Sequence, residues 1–359
     1  MKIGFLVRSL DRQIDTYTTT HLAFEALRRG HQVTYANLNH LSYSDKNGVR
    51  ATVTHARLLP QMTRVDFVSA LRQYQFEKSE TQLDDYDAIF LRYNPNERDN
   101  VRDNRHQPAL EFCRLLKSRG VFVVNDPHGL VKASSKFYLS SFPETIRAKT
   151  LITRRVSKVK EFIKALRKPA IIKPLAGFGG QDVFFVKGPQ EININQIIAA
   201  VGQRGYLMVQ EFLPAVKQGD KRILLLNGEP IRQGNQVALY RRMSPKGEIR
   251  SNIHVGGRRK YAELSVSDAH IVEAIKSRLV ADGLYFVGAD IVGNKLLEIN
   301  VYCPGGIHNI NELCGMNVGS AIIEDLERQV CLWKTQTLPP HVKSPTSSLR
   351  SRSTVRTEA

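Results

Sequence analysis

Short apolar runs alternating with helical segments that stop at glycine constrain the first third of this chain most. "KIGFLV" (2–7) reads as a strand. "TTTHLAFEALRRGHQVTYAN" (18–37) reads as a helix, a stop at Gly30 and a second strand at "QVTYA". The order returns with a third strand at "YDAIFLRYN" (86–94), and with "QPALEFCRLLKSRGVFVVND" (107–126), a helix ended by Gly120 and a fourth strand. Such units pack as a parallel sheet with helices on its faces. Between them, "NHLSYSDKNGVRATVTHARLLPQ" carries the Asn47-Gly48 signal of a short antiparallel insertion. No Gly-x-Gly-x-x-Gly run follows the first strand, which argues against a nicotinamide enzyme.

From about residue 126 the texture changes. Short strands are expected at "TLITR", "AIIKPL", "DVFFVK", "LMVQEFL" and "KRILLLNGEPI", with helices near 156–167 and 192–203. This is an α+β pattern. A helix is expected at "SDAHIVEAIKSRLVADG" (267–283), capped by Ser267 and followed by Gly283, and another near 317–333. The Pro- and Ser-rich end from 336 to 359 reads as a disordered basic tail.

A length of 359 residues predicts two or three domains. No apolar run approaches a membrane span, and "MKIGFLVRSLDRQ" turns polar too early for a signal peptide, so the cytoplasm is the expected compartment. Cys113, Cys303, Cys314 and Cys331 form no Cys-x-x-Cys pair and read as reduced thiols. The net charge is +18, of which the tail supplies only +3. The body is therefore basic, as suits an anionic substrate such as a nucleotide. No zinc-finger spacing or RNP-type aromatic motif accompanies the charge, so nucleic acid is not the expected partner.

Four segments carry chemistry. "IIKPLAGFGGQDVFFV" (171–186) places Lys173 at the end of an apolar strand and then a glycine-rich turn that includes Gly179 and Gly180. Lysine is rarely buried without an anionic partner, and glycines let backbone N–H groups approach phosphate. No Gly-Lys-Ser/Thr follows, so this is not a Walker loop. "LMVQEFLPAVKQGDKRILLLNGEPI" (207–231) ends a strand at Gln210-Glu211, where a carboxylate and free backbone suit adenine and ribose. "LYRRMSPKGEIRSNIHVGGRRK" (239–260) concentrates Arg and Lys with Gly247, Gly256 and Gly257, and reads as a mobile basic loop for an anionic group. Finally, "VGADIVGNKLLEINVY" (287–302) sets Asp290, Glu298 and Asn300 among Val, Leu and Ile. Hard oxygen donors in that setting suit Mg²⁺.

Register turns this last reading into a condition. A plain two-residue Gly293-Asn294 turn pairs Val292 with Lys295 and Asp290 with Leu297, which puts Glu298 on the other face. The two carboxylates meet only if the turn holds an odd number of residues or the strand bulges. The expectation is one of those two.

Together, "ALRRGHQV", "VVNDP" with Lys136 beyond it, "IIKPLAGFGG", "LPAVKQGDKRILLLNGEPI", "GEIRSNIHVGGR" and "LYFVGADIVGNKLLEINV" resemble, in order, the bacterial glutathione synthetases of the ATP-grasp superfamily. The resemblance runs from Met1 to about Trp333. It implies a Rossmann-like substrate domain (1–125), then a two-lobed ATP-grasp fold with a lid (126–203) and a metal-bearing subdomain (204–335). It also implies an ATP-dependent ligase that joins a γ-glutamylcysteine-like carboxylate to glycine through an acyl phosphate. The cofactors would be ATP and Mg²⁺, with Mn²⁺ as a substitute, and the assembly a dimer or tetramer.

The implied ATP contacts are Lys136, Lys173, Gly179, Gly180, Gln210, Glu211, Phe212, Leu213 and Asp220. The metal would take Asp290, Glu298 and Asn300. Arg222, Arg242 and Asn300 would act at the reacting carboxylate, and Arg92, Arg222, Arg242, Gly256, Gly257 and Arg258 would hold the substrate. Two segments depart from the family pattern. "RYNPNERDN" replaces an Asp-Pro-Pro exit from the third strand, and "CPGGIHNIN" a Ser-Pro-Thr-type run. Those departures fit a ligase making a related peptide or amide. A nucleotide-binding regulator without turnover is the other class, which the complete phosphate and metal set disfavours.

Overall fold

In the computed structural model, residues 1–95, 106–175, 180–203, 205–245, 248 and 256–337 are described. The N-terminal sheet holds β1 (Lys2–Val7), β2 (Gln32–Ser44), β3 (Gly48–Ala56), β4 (Lys78–Gln82), β5 (Ala88–Arg92) and β6 (Phe122–Val124), in the order β4-β3-β2-β1-β5-β6. β1 pairs in parallel with β2 and β5, and β5 with β6, as the glycine-stopped units predict. The Asn47-Gly48 insertion is an antiparallel β2–β3 hairpin closed at Ser44 and Gly48, to which β4 adds a strand the sequence did not signal. Three helices, α1 (Thr18–Arg28), α2 (Arg64–Arg72) and α3 (His106–Ser118), and a short α4 (Pro127–Lys132) complete this half.

A second, four-stranded sheet has β7 (Thr150–Thr153), β8 (Ala170–Pro174), β9 (Phe184–Val186) and β10 (Leu207–Glu211), in the order β7-β10-β8-β9. Helices α5 (Val156–Leu166) and α6 (Ile194–Gly202) cover one face through Val159, Ile163, Ile194 and Ile198, packed on Ile172, Leu207 and Val209. Alternation along a strand then puts Lys173 and Met208 on the opposite face, where both are buried. β10 lies inside this sheet, between β7 and β8, although it follows the expected boundary at 203.

The third sheet contains β11 (Asp220–Leu226), β12 (Glu229–Pro230), β15 (Leu239–Met243), β16 (Arg258–Lys260), β17 (Phe286–Val292) and β18 (Lys295–Asn300). A small ribbon of β13 (Arg232–Gln233) and β14 (Gln236–Val237) stands beside it. The basic stretch expected as a loop over 239–260 is strand at both ends. Arg241 and Arg242 lie in β15 and pair with Lys260 and Arg259 of β16.

Helix α7 (Val266–Ala281) is capped by Ser265, not Ser267: the Ser265 hydroxyl and the Asp268 carboxylate close a reciprocal capping box. The Ser267 hydroxyl is buried with no hydrogen-bond partner. After α8 (Ile307–Cys314), helix α9 (Val318–Thr337) passes the expected tail boundary at 336, and residues 338–359 lie outside the described set. Its Val318, Ile322, Ile323, Leu326 and Val330 share one core with Leu22, Ala23 and Ala26 of α1.

Candidate active site

The β17–β18 hairpin settles the register condition. Val292 pairs with Lys295 and Ile291 with Leu296, so the Gly293-Asn294 turn has two residues. The register then shifts between Asp290 and Ile291, and Asp290 pairs with Glu298, Ala289 with Ile299 and Gly288 with Asn300. Leu297 is the bulged residue. The bulge puts Asp290 and Glu298 on one face, with Asn300 two pairs further along.

On the other side of β17, Arg222 of β11 stands opposite Asp290, and Asp220 stands opposite Arg242 of β15. The four side chains form a buried chain of charge. The Arg222 guanidinium grips both Asp290 oxygens, with Nη2 2.8 Å from Oδ2. Arg242 Nη2 lies 2.7 Å from Asp290 Oδ2, while its Nε donates to Asp220 Oδ1 at 2.9 Å and its Nη2 also to Asp220 Oδ2. The relative exposures of Asp220, Arg222, Arg242 and Asp290 are 2%, 9%, 6% and 1%. Burial alone would raise the Asp290 carboxyl, but the charges of Arg222 and then Arg242 hold it down at about 2. Such a cluster persists because every charge is matched and hydrogen-bonded.

Lys136 links the end of β8 to β18, and it and Glu298 both act on Lys173. The Lys136 backbone N–H donates to the Leu175 carbonyl at 3.2 Å, which ties the residue to the end of β8. Its Nζ is 3.8 Å from Glu298 Oε1. Lys173 is buried; desolvation first, and then the charge of Lys136, push its ammonium down to about 8, with Glu298 opposing. A site that crowds two cations together is built to receive negative charge. Lys136, Glu298, Asn300, Asn94 and Cys303 line one pocket.

At the end of β10, the backbone crosses over to the neighbouring strands. Glu211 N–H donates to the Lys149 carbonyl and its Oε1 accepts from the Lys149 N–H, both at 3.0 Å. Phe212 N–H donates to the Pro169 carbonyl at 2.9 Å, and its ring meets Phe185 edge-on at 4.9 Å. Gln210 is buried, its Nε2 3.1 Å from Thr150 Oγ1, and Leu213 opens a 3-10 turn over Pro214–Gln218. Gln210 to Leu213 thus form one braced crossing between sheets.

Arg92 leaves β5 with Nε 3.0 Å from Thr19 Oγ1 and Nη2 3.2 Å from the Pro304 carbonyl. Burial lowers its pKa, with Cys303 opposing. Arg222 Nη1 approaches the Gly305 carbonyl at 3.4 Å. One arginine from each half of the molecule therefore holds the 303–306 loop. Thr19, Pro304 and Gly305 carry no charge and gave no sequence signal beyond the "PGG" turn.

The remaining expected residues are more scattered. Arg258 is exposed in β16 beside Gly256, whose φ is +88°, and Gly257. Gly180 is described with φ +74°, and Gly179 lies outside the described residues. Asp220, expected at the nucleotide, has its carboxylate taken by Arg242.

The prokaryotic glutathione synthetase N-terminal domain matches residues 1–130, and the ATP-grasp domain of the same synthetases matches residues 135–315. The chain belongs to the prokaryotic glutathione synthetase family. It is an ATP-grasp carbon–nitrogen ligase of glutathione synthetase type. It is similar to the glutathione synthetase of Synechococcus elongatus, 32% identical over 335 residues that make up 92% of this chain and 99% of that one. The glutathione synthetase of Vibrio cholerae is 33% identical over 312 residues, 86% of this chain and 91% of its own. Among solved structures, D-cycloserine synthetase DcsG superposes with a TM-score of 0.60 at 13% identity, covering 91% of this chain and 100% of its own. The ATP-grasp ligase PsnB, in a complex with a precursor variant, Mg and ADP, gives 0.57 at 16% identity over 92% and 98%. These two likenesses concern the fold. Among the described residues no helix is long and apolar enough to cross a membrane.

The family works with ATP and a divalent metal, and the donor set can be tested for fit. Among the described residues no three His, Cys, Asp or Glu side chains gather as a metal site. Glu298 and Asn300 both line the pocket, and the Asn300 amide nitrogen turns to Asp290 Oδ2 and the Gly288 carbonyl, each at 3.3 Å, which leaves its oxygen for the pocket side. Asp290 Oδ2 already accepts from Arg222, Arg242 and Asn300. One carboxylate clear of guanidinium among the described residues, one amide oxygen and a carboxylate shared with guanidinium groups fit Mg²⁺, which takes few protein ligands when phosphates supply the rest.

Proposed function

We propose that this ligase joins the C-terminal carboxylate of γ-glutamylcysteine to glycine in the cytoplasm, with Mg-ATP as the energy source. The observation that carries the reading is that Lys136 links the end of β8 to Glu298 and that both act on Lys173, with Glu298 standing opposite Asp290 of the arginine–aspartate chain. In this reading the braced crossing at Gln210 to Leu213 holds adenine and ribose, and Gly180 with Lys136 and Lys173 holds the phosphates. Glu298 and Asn300, with Asp290 behind them, would hold Mg²⁺, which when bound neutralises phosphate charge.

A carboxylate oxygen of the acid attacks the γ-phosphorus, the bond to the β-phosphate oxygen breaks, and ADP leaves. The glycine amine then attacks the acyl carbon, phosphate departs, and the amine proton passes to solvent. Arg222 and Arg242 orient the acid and balance negative charge developing on its carbonyl oxygen. Arg92 fixes the 303–306 loop, and Gly256 to Arg258 close over the acid. No side chain needs to act as a nucleophile.

A second reading, a related peptide or amide as product, is favoured by Asn94 and Cys303. Both line the pocket at positions where the chain departs from its family pattern. The test is ADP release with Mg-ATP, scanned over γ-glutamyl dipeptides and small amines, with the product identified by mass spectrometry. Release that depends on γ-glutamylcysteine and glycine, with glutathione as product, is the expected result. Nucleotide binding with no substrate-dependent release overturns both readings.

A further inference from the structure

Asp282, at the end of α7, gathers three donors. Lys132 Nζ, at the end of α4, lies 2.6 Å from its Oδ1, while Tyr138 Oη and Arg278 Nε donate to Oδ2 at 2.8 and 2.7 Å. Burial alone would raise this carboxyl, but the hydrogen bonds of Lys132 and Tyr138 and the charge of Arg278 hold it below the usual carboxylate range. Burial first, and then Asp282, push the Tyr138 phenol up, so it keeps its proton and stays a donor. The three donors are not equivalent. The Lys132 and Arg278 side chains are 53% and 46% exposed, so water can take over their hydrogen bonds. Tyr138 is buried, and its one hydroxyl proton goes to Asp282.

Tyr138 belongs to the 3-10 turn Lys136–Ser141, two residues after Lys136. Lys136 itself is tied to the end of β8 through its backbone and faces Glu298 through its Nζ. Ala133 to Lys136, Tyr138 and Leu139 form one wall of the pocket. That wall is seated closely on the end of α7. A Cβ on Gly129 of α4 would strike the Asp282 carbonyl oxygen, and one on Gly283, at φ +64°, would come within 2.6 Å of Asp126 Cβ. The Asp126 N–H donates to the Gly283 carbonyl at 3.1 Å.

We propose that Asp282 is a positioning residue for the nucleotide phosphates: through Tyr138 it fixes the turn that carries Lys136. The proposal rests on the assignment of Lys136 to the phosphates in the preceding reading. One end of the turn is held by the Leu175 carbonyl and the other by the Asp282 carboxylate. Without the second tie the buried Tyr138 hydroxyl loses its acceptor, which is costly, and the turn rotates to find another. Lys136 then swings with it, away from the place where the phosphates must lie. Neither Asp282 nor Tyr138 gave a sequence signal, because one reads as an ordinary helix-end residue before Gly283 and the other as part of an apolar run.

The experiment uses the full chain carrying Asp282→Ala, Tyr138→Phe or Lys136→Met, and Tyr138→Phe combined with Lys136→Met. The affinity of each for a non-hydrolysable ATP analogue with Mg²⁺ is measured by calorimetry. Asp282→Ala and Tyr138→Phe should each weaken binding about threefold to tenfold. Tyr138→Phe added to Lys136→Met should cost nothing further, because both act through one ammonium group. Wild-type affinity in Asp282→Ala or in Tyr138→Phe, beside a clear loss in Lys136→Met, overturns the proposal and leaves the phosphate reading of Lys136 standing. An equal loss from Tyr138→Phe with and without Lys136 also overturns it, since the effect then does not pass through the lysine. Wild-type affinity in Lys136→Met refutes the phosphate reading of that residue, and the proposal falls with it. Should Asp282→Ala fail to fold, Tyr138→Phe, which leaves Asp282 with both of its cations, decides by the same criteria.

Discussion

Asp290 and Glu298 stand directly opposite each other across the β17–β18 hairpin, although a two-residue turn between their strands should set them on opposite faces. The bulge at Leu297 resolves the conflict. It brings two carboxylates set among Val, Leu and Ile onto one face of the hairpin.

Among the described residues no guanidinium group holds Glu298, whereas two hold Asp290, so the charge of Glu298 should matter most for metal. Glu298→Gln should lower turnover about a hundredfold at submillimolar Mg²⁺ and regain part of it as Mg²⁺ is raised. The check is ADP release titrated against Mg²⁺. Wild-type rates at low Mg²⁺ would contradict the assignment.

Gly288→Ala tests the space made for Arg222. The added methyl would press on the Arg222 side chain. Overpacking of this kind costs about 1–3 kcal/mol of stability, and kcat/KM for the acid substrate should fall while ADP affinity holds. Urea denaturation and steady-state kinetics read the two effects separately.

His21 is a source of pH dependence away from the phosphate site. It is buried on α1, its ring 5.8 Å from that of His308. Burial first, then Arg64 and His308, push its pKa from 6.5 down to about 3. A folded-state pKa below the unfolded one means the unfolded chain binds the extra proton between these values. Stability is then lost as pH falls from about 6.5 toward 3. His21→Leu should lack this component, so its stability relative to wild type should gain about 1.4 kcal/mol per pH unit below about 6. Urea denaturation of both proteins at about pH 5 and pH 7 measures it; a pH-independent difference would refute it.

The cap of α7 separates two serines two positions apart. Ser265→Ala should cost about 1 kcal/mol, whereas Ser267→Ala, which removes an unpaired buried hydroxyl, should cost nothing or stabilise. Thermal denaturation of the two variants decides the matter.

The parallel half of the fold was legible because each unit carries its own punctuation: a β-branched run, a helix, and a glycine such as Gly30 or Gly120 where the helix must stop. The meeting of Asp290 and Glu298 was legible as a condition, since period-two geometry demands a bulge or an odd turn to bring them together. The pairing of Asp220 with Arg242 was not legible for a different reason. Its partner Arg242 is 22 residues away on β15, and no local spacing tells which arginine a buried aspartate will take. Arg242 was named by the resemblance, but within a stretch expected as a loop, which concealed its place on a strand beside Asp220. The placing of β10 between β7 and β8 depends on a non-sequential strand order, β7-β10-β8-β9, which propensity does not encode. The α7 cap was within reach: Ser265 and Asp268 have the spacing of a capping box, which Ser267 lacks.

The packing of α9 on α1 bears on how the protein is made. Leu22, Ala23 and Ala26 are covered by side chains from residue 318 onward, and Trp333 Nε1 closes on the Gly120 carbonyl at 2.9 Å. Helix α9 thus completes a layer begun by α1, far away along the chain. During synthesis α1 therefore waits on the ribosome with an apolar side uncovered until α9 has emerged, and a message cut short before α9 yields a polypeptide that exposes that side to proteases and to its neighbours.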